Sequence, residues 1–187
     1  MSPLLEGRRI AILATDGVEE AELTEPRRVL EAAGATVELL APRAGTILAM
    51  DHLDKSRSYE VDRPVGEASP AGYDGLVLPG GVVNADKLRI DVAAVEFTRG
   101  VLSFGAPVGA ICHGLWILIE TGAVRGRTVT SYPTLRTDLE NAGARWVDEE
   151  VHNDSGLITS RRVADLPAFT RKLVEEFAEG LHPRRVA

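Results

Sequence analysis

The segment from Ala106 to Glu120, which reads APVGAICHGLWILIE, constrains the fold more than any other part of the chain. Its first half is short and apolar, as expected for a buried strand of a parallel sheet. Its second half is apolar enough to continue as a helix. Small residues surround the single cysteine between the two halves, which is what a tight strand-to-helix turn requires. The pattern Ala110-x-Cys112-x-Gly114 therefore predicts a nucleophile elbow that carries a cysteine.

The residue at this turn, Cys112, is the only cysteine of the chain. A thiol at a helix N-terminus lies near the positive end of the helix dipole, which favours the reactive thiolate. A lone cysteine is more often a small buried hydrophobic residue. The strand, the turn and the helix together favour a functional role, so Cys112 is the first candidate for a catalytic nucleophile.

The composition limits the kind of protein that this chain can form. With 187 residues, 44% of them hydrophobic, it is long enough for one α/β domain with a sizeable core. A single cysteine excludes an internal disulfide framework and a cysteine-based zinc site, and we expect no metal and no cofactor. A net charge of −7 argues against a nucleic-acid partner, and the lack of a long apolar run argues against a membrane span. We expect a cytoplasmic protein in which residues 1–187 form one domain, with loose tails at 1–8 and 181–187.

The rest of the chain alternates predicted strands and helices, which is typical of an α/β fold. Strands are predicted at 9–14, 36–41, 73–78, 106–111, 127–131, 145–150 and 157–160, the last two as an antiparallel hairpin. Helices are predicted at 18–34, 91–104, 132–142 and 164–179. In the first helix, Pro26 either lies in the first turn, with Thr24 as the N-cap, or kinks the helix. A short strand or hairpin at the sheet edge is predicted at 59–61, inside an irregular stretch from 45 to 67.

We predict from this order a flavodoxin-like three-layer sandwich, a mostly parallel sheet with helices on both faces. A dinucleotide-binding Rossmann domain is the alternative fold. The first strand, however, is followed by DGVEEAE, which lacks a G-x-G-x-x-G loop and carries acidic residues where phosphate would bind. We therefore reject a nucleotide-binding function.

Three carboxylates, Glu19, Glu20 and Glu22, follow the first predicted strand. Acidic side chains at a helix N-terminus complement the helix dipole, which accounts for Glu19 and Glu20 without any function. In parallel α/β sheets, ligand sites lie at the carboxyl ends of the strands. The elbow follows a strand at the same edge, so we expect a carboxylate of this cluster to reach Cys112.

A glycine pair follows the strand predicted at 73–78, in the turn Pro79-Gly80-Gly81. Glycines after a strand allow backbone N–H groups to point into a site. A nucleophile elbow uses the N–H of the next residue, here His113, and a second oxyanion donor from another strand-to-helix loop. Gly80 and Gly81 are the candidates for that donor, although this turn also occurs without any function.

Two other histidines have weaker claims to function. His52 lies in a polar loop, and His152 comes just before a predicted turn. A single histidine in such a position is usually exposed to solvent, and we expect this of both.

Four motifs in this order resemble one known family: VEEAEL after the first strand, LVLPGG, AICHG at the elbow, and SYPTLRTDLENAGARWVDEEV. They resemble the PfpI family of intracellular proteases and stress proteins. That family belongs to the ThiJ/PfpI superfamily, which also contains the Parkinson-associated protein deglycase and is related in fold to class I glutamine amidotransferases. The similarity extends over residues 9–177.

The resemblance implies a role for each matching residue. Cys112 would be the nucleophile and His113, as in the PfpI branch, its base. Glu22 would be the buried carboxyl group that hydrogen-bonds the cysteine sulfur, where a protonated carboxyl would donate to the thiolate and lower the thiol pKa. Gly80 and the N–H of His113 would form the oxyanion hole. Asp86 lies near the position whose acidic residue reaches the histidine of a neighbouring subunit, so the resemblance also implies a homodimer or higher homo-oligomer.

The remaining matches are supporting ones, and the chain departs from the family pattern in two places. Glu19 matches another acidic position of the VEEAEL motif, and Gly114 completes the elbow. Leu115 stands where many relatives carry proline, which we expect to change only the start of the helix. The loop before Asp86 is longer than in the archaeal proteases, and it carries aspartate rather than glutamate.

Three functions stay open at this point. The first is a cysteine-dependent hydrolase, either an intracellular protease or a deglycase or glyoxalase, that acts on a peptide or a small carbonyl substrate. The second is a sensor of oxidative stress through oxidation of Cys112 without turnover. The third is a holdase chaperone, for which the sequence offers no specific feature.

Overall fold

The computed structural model describes residues 4–182, which form twelve strands and six α-helices. The strands are β1 (Arg9–Leu13), β2 (Val18–Glu19), β3 (Thr36–Ala41), β4 (Thr46–Asp51), β5 (Asp54–Glu60), β6 (Arg63–Pro64), β7 (Gly75–Leu78), β8 (Val108–Ile111), β9 (Thr128–Val129), β10 (Arg145–Trp146), β11 (Val151–Asp154) and β12 (Leu157–Ser160). The helices are α1 (Glu20–Ala32), α2 (Val82–Ile90), α3 (Val92–Ser103), α4 (Trp116–Thr121), α5 (Arg136–Asn141) and α6 (Leu166–Glu179).

Seven strands form the central sheet, in the order β11-β12-β8-β7-β1-β3-β6. All neighbouring pairs are parallel except β11 with β12. Strands β7 and β8 are buried at every position, as expected for central strands with helices on both faces. The predicted flavodoxin-like α/β fold is confirmed. Because β1, β7 and β8 are adjacent and parallel, the loops that follow them meet at one edge of the sheet.

The helices bury apolar side chains on both faces of the sheet. Leu30 of α1 and Phe169 and Phe177 of α6 belong to the core on one face. Phe97 of α3 and Leu118 of α4 belong to the core on the other face, which α2 and α5 also cover. Full burial of a side chain of this size contributes roughly 1.5–3 kcal/mol, so these two cores fix the frame that holds the strand ends.

Two predicted strand pairings are wrong. The hairpin expected at the sheet edge is formed by β4 and β5, but it pairs with β2 in a separate three-stranded sheet. Strand β12 does form an antiparallel hairpin, but with β11 rather than with residues 145–150. Strand β10 instead pairs in parallel with β9. Alternating residues indicate a strand but not its partner, and the partner depends on the tertiary fold.

Helix α1 differs from its prediction at its N-terminus. Glu19, and not Thr24, occupies the N-cap position, and Pro26 lies inside the helix. The Thr24 hydroxyl donates to the carbonyl of Glu20, one turn earlier. Because the helix begins early, Glu22 lies in its first turn and faces the strand ends. Helix α2 was not predicted at all.

The chain ends were expected to be loose, and the described part of them is packed. Leu5 is fully buried, and its N–H donates to the carbonyl of Ala33. The N–H of His182 donates to the carbonyl of Gly105. That expectation is therefore wrong at positions 5 and 182, while residues 1–3 and 183–187 lie outside the described range. None of the helices in the described range has both the length and the apolarity that a membrane span requires.

Candidate active site

The backbone at Cys112 has the geometry of a nucleophile elbow. The residue follows β8 and has a φ of 61°, a left-handed conformation that costs a non-glycine residue about 1–2 kcal/mol. A single 3-10 turn, Cys112–Leu115, then leads into α4. A Cβ atom at Gly114 would lie 2.3 Å from the carbonyl oxygen of Leu78, so only glycine fits where the elbow touches the end of β7.

The imidazole of His113 lies against the thiol. Its Nδ1 atom is 3.2 Å from the Cys112 sulfur. Its Nε2 atom is 3.4 Å from the Thr134 hydroxyl, and the ring stacks on Tyr132 at 5.0 Å and meets Trp116 edge-on at 5.3 Å. Burial lowers the pKa of His113. The ring is therefore held in place and neutral at pH 7, with a nitrogen in reach of the thiol proton.

The carboxyl group of Glu22 lies on another side of the thiol. It is 1% exposed and accepts a hydrogen bond of 2.8 Å from the N–H of Gly80. It also contacts the Cys112 thiol. Burial raises the pKa of Glu22 to about 8. At neutral pH the group is mostly protonated, so it can donate to sulfur or to an oxygen bound there.

Two backbone N–H groups, those of His113 and Gly81, point at the sulfur and favour the thiolate. The predicted role of Gly80 needs a correction, because its N–H is already donated to Glu22. The available oxyanion donors are therefore Gly81 and His113. Burial raises the pKa of the Cys112 thiol, and the charge of ionised Glu22 raises it further. The helix dipole was expected to lower this pKa, but α4 has only six residues and starts four residues after the cysteine.

A residue that the sequence did not single out, Asn84, fixes the glycine loop. Its side chain is fully buried, and its Nδ2 atom donates to the carbonyl oxygens of Pro79 at 3.0 Å and Gly80 at 2.9 Å. Its Oδ1 atom accepts from the N–H of Thr15 at 2.7 Å. Because the Gly80 carbonyl is held on this side, the N–H of Gly81 in the same peptide points the other way. A polar residue three positions after the glycine pair was the only signal in the sequence.

The other predicted site residues lie further from the thiol. The carboxylate of Glu19 accepts from the backbone N–H of His52 at 3.2 Å, and the His52 side chain is 75% exposed. Asp86 is exposed on α2, and no contact within residues 4–182 joins it to His113. The expected link between Asp86 and a histidine therefore stays a prediction about a neighbouring subunit.

A cavity of about 410 Å³ lies beside the acidic turn and is not lined by Cys112. Its walls are Glu19, Glu20, Ala21, Thr24, Asp51, Arg57 and Tyr59. The Glu20 carboxylate in this wall accepts hydrogen bonds from Ser56 and Tyr59. Glu19 links the cavity to the thiol site, because its backbone N–H donates to the carbonyl of Gly80.

Comparison with known proteins agrees with this geometry. A sequence profile of the DJ-1/PfpI family matches residues 8–176. Protein/nucleic acid deglycase 2 of Escherichia coli K12 is 40% identical over 166 residues, 88% of this chain and 95% of that one. The protein named putative cysteine protease YraA of Bacillus subtilis is 36% identical over 165 residues, 88% of this chain and 95% of that one. A solved two-domain protein of Anabaena variabilis, with DJ-1/ThiJ/PfpI-like and ferritin-like domains, superimposes with a TM-score of 0.84 and 32% identity, over 90% of this chain and 49% of that one. This chain belongs to the DJ-1/PfpI family.

Proposed function

We propose that this protein is a cysteine-dependent hydrolase that acts on small carbonyl compounds and on carbonyl-damaged substrates. The observation that carries the proposal is the convergence of three groups on the Cys112 sulfur: the Nδ1 atom of His113 and the N–H groups of His113 and Gly81. The Escherichia coli relative is named a deglycase, and the Bacillus subtilis relative is named a cysteine protease. Both names are compatible with a thiol nucleophile.

The first step is addition of the sulfur to a carbonyl carbon. The thiol proton passes to Nδ1 of His113, which is neutral because burial lowers its pKa. The new C–S bond places negative charge on the former carbonyl oxygen. The N–H groups of Gly81 and His113 stabilise that oxygen, and protonated Glu22 is a further donor beside the sulfur.

With an α-oxoaldehyde as substrate, the product of this step is a thiohemiacetal. His113 then assists two proton transfers: the C–H proton of the thiohemiacetal carbon moves to the neighbouring carbonyl carbon, and the hydroxyl proton moves to the oxygen of that carbonyl. The product is a thioester of a 2-hydroxy acid. Water then cleaves the C–S bond, which releases the acid and returns the proton to the thiol. The net reaction is hydration of the oxoaldehyde, and no oxidant or reductant is consumed.

The burial of the site favours a small substrate over a polypeptide. Cys112 is only 9% exposed, and the aromatic rings of Tyr132 and Trp116 surround its partner His113. A small carbonyl carbon can approach such a thiol, whereas a peptidase needs a groove long enough for an extended chain. A protease is the competing activity, and it would need a cavity formed between the subunits of an oligomer. A cytoplasmic location, a homo-oligomer and a role in stress belong to the same proposal.

The test compares the wild type with Cys112→Ser in a methylglyoxal assay. Lactate release, amine release from glycated peptide, and cleavage of an unmodified peptide are measured in parallel. We expect lactate or amine release that is lost in Cys112→Ser. Peptide cleavage alone, lost in the same variant, would replace this proposal by the protease. Equal rates in the two proteins would show that Cys112 takes no part in the reaction.

A redox sensor is the second candidate, because the same donors would stabilise an oxidised sulfur. The Glu22 carboxyl and the two N–H groups could bind the oxygens of a sulfinate at Cys112, and the chain has no other cysteine to reduce a sulfenate. Mild peroxide followed by intact-mass measurement separates the two candidates. A sensor changes its oligomeric state or partner when it is oxidised, whereas an enzyme only loses its turnover.

A further inference from the structure

A second cluster of ionisable side chains lies where α6 ends, apart from the thiol site. Glu176 and Glu179 are one helical turn apart, and His182 follows the helix. Gly180, with a φ of 86°, ends the helix and reverses the chain. One ligand atom from each of the three side chains lies within 4.8 Å of the other two.

Two atoms of this cluster are buried without a hydrogen-bond partner. Among the described residues, Oε2 of Glu176 and Nε2 of His182 are the buried side-chain atoms in this state. Glu176 is only 4% exposed, and its Oε2 is 3.2 Å from that Nε2, yet the two are not aligned as a hydrogen bond. Buried polar atoms are nearly always hydrogen-bonded, so two that face each other without a hydrogen bond require an explanation.

The position of the His182 ring is fixed by its surroundings. The backbone N–H of His182 donates to the carbonyl of Gly105 at 2.8 Å. The ring lies on Gly156, where a Cβ atom would be 2.4 Å from the ring Cδ2. The Nε2 atom is thus held toward Glu176, while Glu179 is exposed and leaves one side open to solvent.

The arrangement matches the coordination shell of a divalent transition cation. Zinc binds histidine nitrogen and carboxylate oxygen at about 2.0–2.2 Å, so tetrahedral ligands lie about 3.4 Å apart. The separation of 3.2 Å between Oε2 and Nε2 is close to that value. Calcium and magnesium prefer shells of oxygen atoms, so a histidine in the cluster favours zinc over both.

The charge of this helix end also favours a cation. The partial negative charge of a helix C-terminus adds to the two carboxylates. The pKa of Lys172, on the same helix, is raised most by its hydrogen bond to Glu175. The negative charges of Glu175, Glu176 and Glu179 raise it further. Arg8, the other nearby cation, is bonded to Asp74 and to the carbonyl of Ala178, and not to Glu176.

We propose that Glu176, Glu179 and His182 form a binding site for zinc or a similar divalent transition cation. The three side chains supply three ligands, and water completes the shell on the open side. The cation would join the end of α6 to the loops at Gly105 and Gly156, so its role is structural. The proposal does not depend on the activity proposed for Cys112.

The test titrates zinc against a chromogenic chelator, in a Cys112→Ser background that removes the reactive thiol as a ligand. We expect one zinc ion per chain, and a loss of affinity of at least ten-fold in His182→Ala and in Glu176→Gln. His152→Ala is the matched control, because it removes a histidine that also pairs with a glutamate, and its affinity should be unchanged. Magnesium should not compete.

Equal zinc affinity in His182→Ala and in the background protein would overturn the proposal. So would the absence of stoichiometric zinc, since Glu176 and His182 would then form a simple ion pair. If Glu176→Gln fails to fold, anomalous scattering at the zinc edge from crystals of the full chain decides the matter. A peak between Oε2 and Nε2 supports the site, and a directly bonded pair without a peak excludes it.

Discussion

The Nδ1 atom of His113 lies 3.2 Å from the sulfur of Cys112, although the two residues are neighbours in the chain. Adjacent side chains in a strand point to opposite faces, so this contact requires the left-handed conformation of Cys112. The stacking of Tyr132 on the ring then keeps the nitrogen beside the sulfur. The strained turn thus brings together the thiol and the imidazole that we propose as nucleophile and base.

The base role that we propose for His113 predicts a large loss of turnover in His113→Ala. General-base catalysis contributes roughly 10²–10⁴-fold, so kcat should fall within that range. Thr134→Val, which removes only the contact at Nε2, should have a much smaller effect. Lactate formation from methylglyoxal measures both, and turnover retained in His113→Ala would exclude the histidine from the mechanism.

The raised pKa of Glu22 predicts a stability that falls as pH rises from about 4.5 to about 8. In this range the native state keeps a proton that the unfolded chain has lost, so raising the pH favours unfolding. The cost at pH 7 is at most about 3 kcal/mol. Urea unfolding at pH 5 and pH 8 should show this loss in the wild type and not in Glu22→Gln. Glu31→Gln, at an exposed position of the same helix, is the control and should keep the wild-type pH dependence.

The same carboxyl group should control the reactivity of the thiol. Above pH 8 ionised Glu22 places a negative charge beside the sulfur and opposes formation of the thiolate. The rate of Cys112 alkylation by iodoacetamide should therefore rise less steeply above pH 8 in the wild type than in Glu22→Gln. Identical pH profiles in the two proteins, or an unchanged apparent thiol pKa in Glu22→Ala, would show that the carboxyl group does not act on the sulfur.

The buried amide of Asn84 predicts a kcat effect from a residue that does not touch the thiol. A missing oxyanion donor costs roughly 10²–10³-fold, and Asn84→Ala should lose up to this amount through a displaced Gly81 N–H, with KM little changed. Asn84→Asp keeps the acceptor for Thr15 but loses the donor to the loop carbonyls, so it should lose kcat as well. Asn141→Ala, at the exposed end of α5, is the control. A rise in KM alone, with kcat unchanged, would contradict this role.

The close approach at Gly80 predicts that Gly80→Ala disrupts the site. The added Cβ would lie 2.4 Å from the Glu22 carboxyl oxygen and 2.6 Å from the Cys112 Cβ. We expect a destabilisation of about 1–3 kcal/mol and a loss of thiol reactivity. Gly66→Ala is the matched control, because its Cβ would have only an ordinary contact at 3.8 Å. Equal unfolding midpoints and alkylation rates for the two variants would argue against the crowding.

The sequence by itself determined the class of fold, the nucleophile elbow and the family. Each depends on a pattern within one element or one turn: the apolar runs of the strands, the small residues around Cys112, and the order of four motifs. The helix predicted at 91–104 appears as α3, with the Asp91 side chain as its N-cap. Such features are set by neighbouring residues, so they can be recognised without the rest of the chain.

Only the tertiary structure decided which backbone groups face the sulfur. Glu22 and Gly80 are 58 residues apart and Thr15 and Asn84 are 69 apart, and both pairs meet because β1, β7 and β8 are adjacent. Of the two glycines expected as oxyanion donors, Gly80 donates its N–H to Glu22, and only the N–H of Gly81 faces the sulfur. Burial, which also depends on the packing of distant elements, set the direction of the pKa shifts at the site. Spacing along the chain carries no record of these contacts, because they form only when the parallel strands bring their carboxyl ends together.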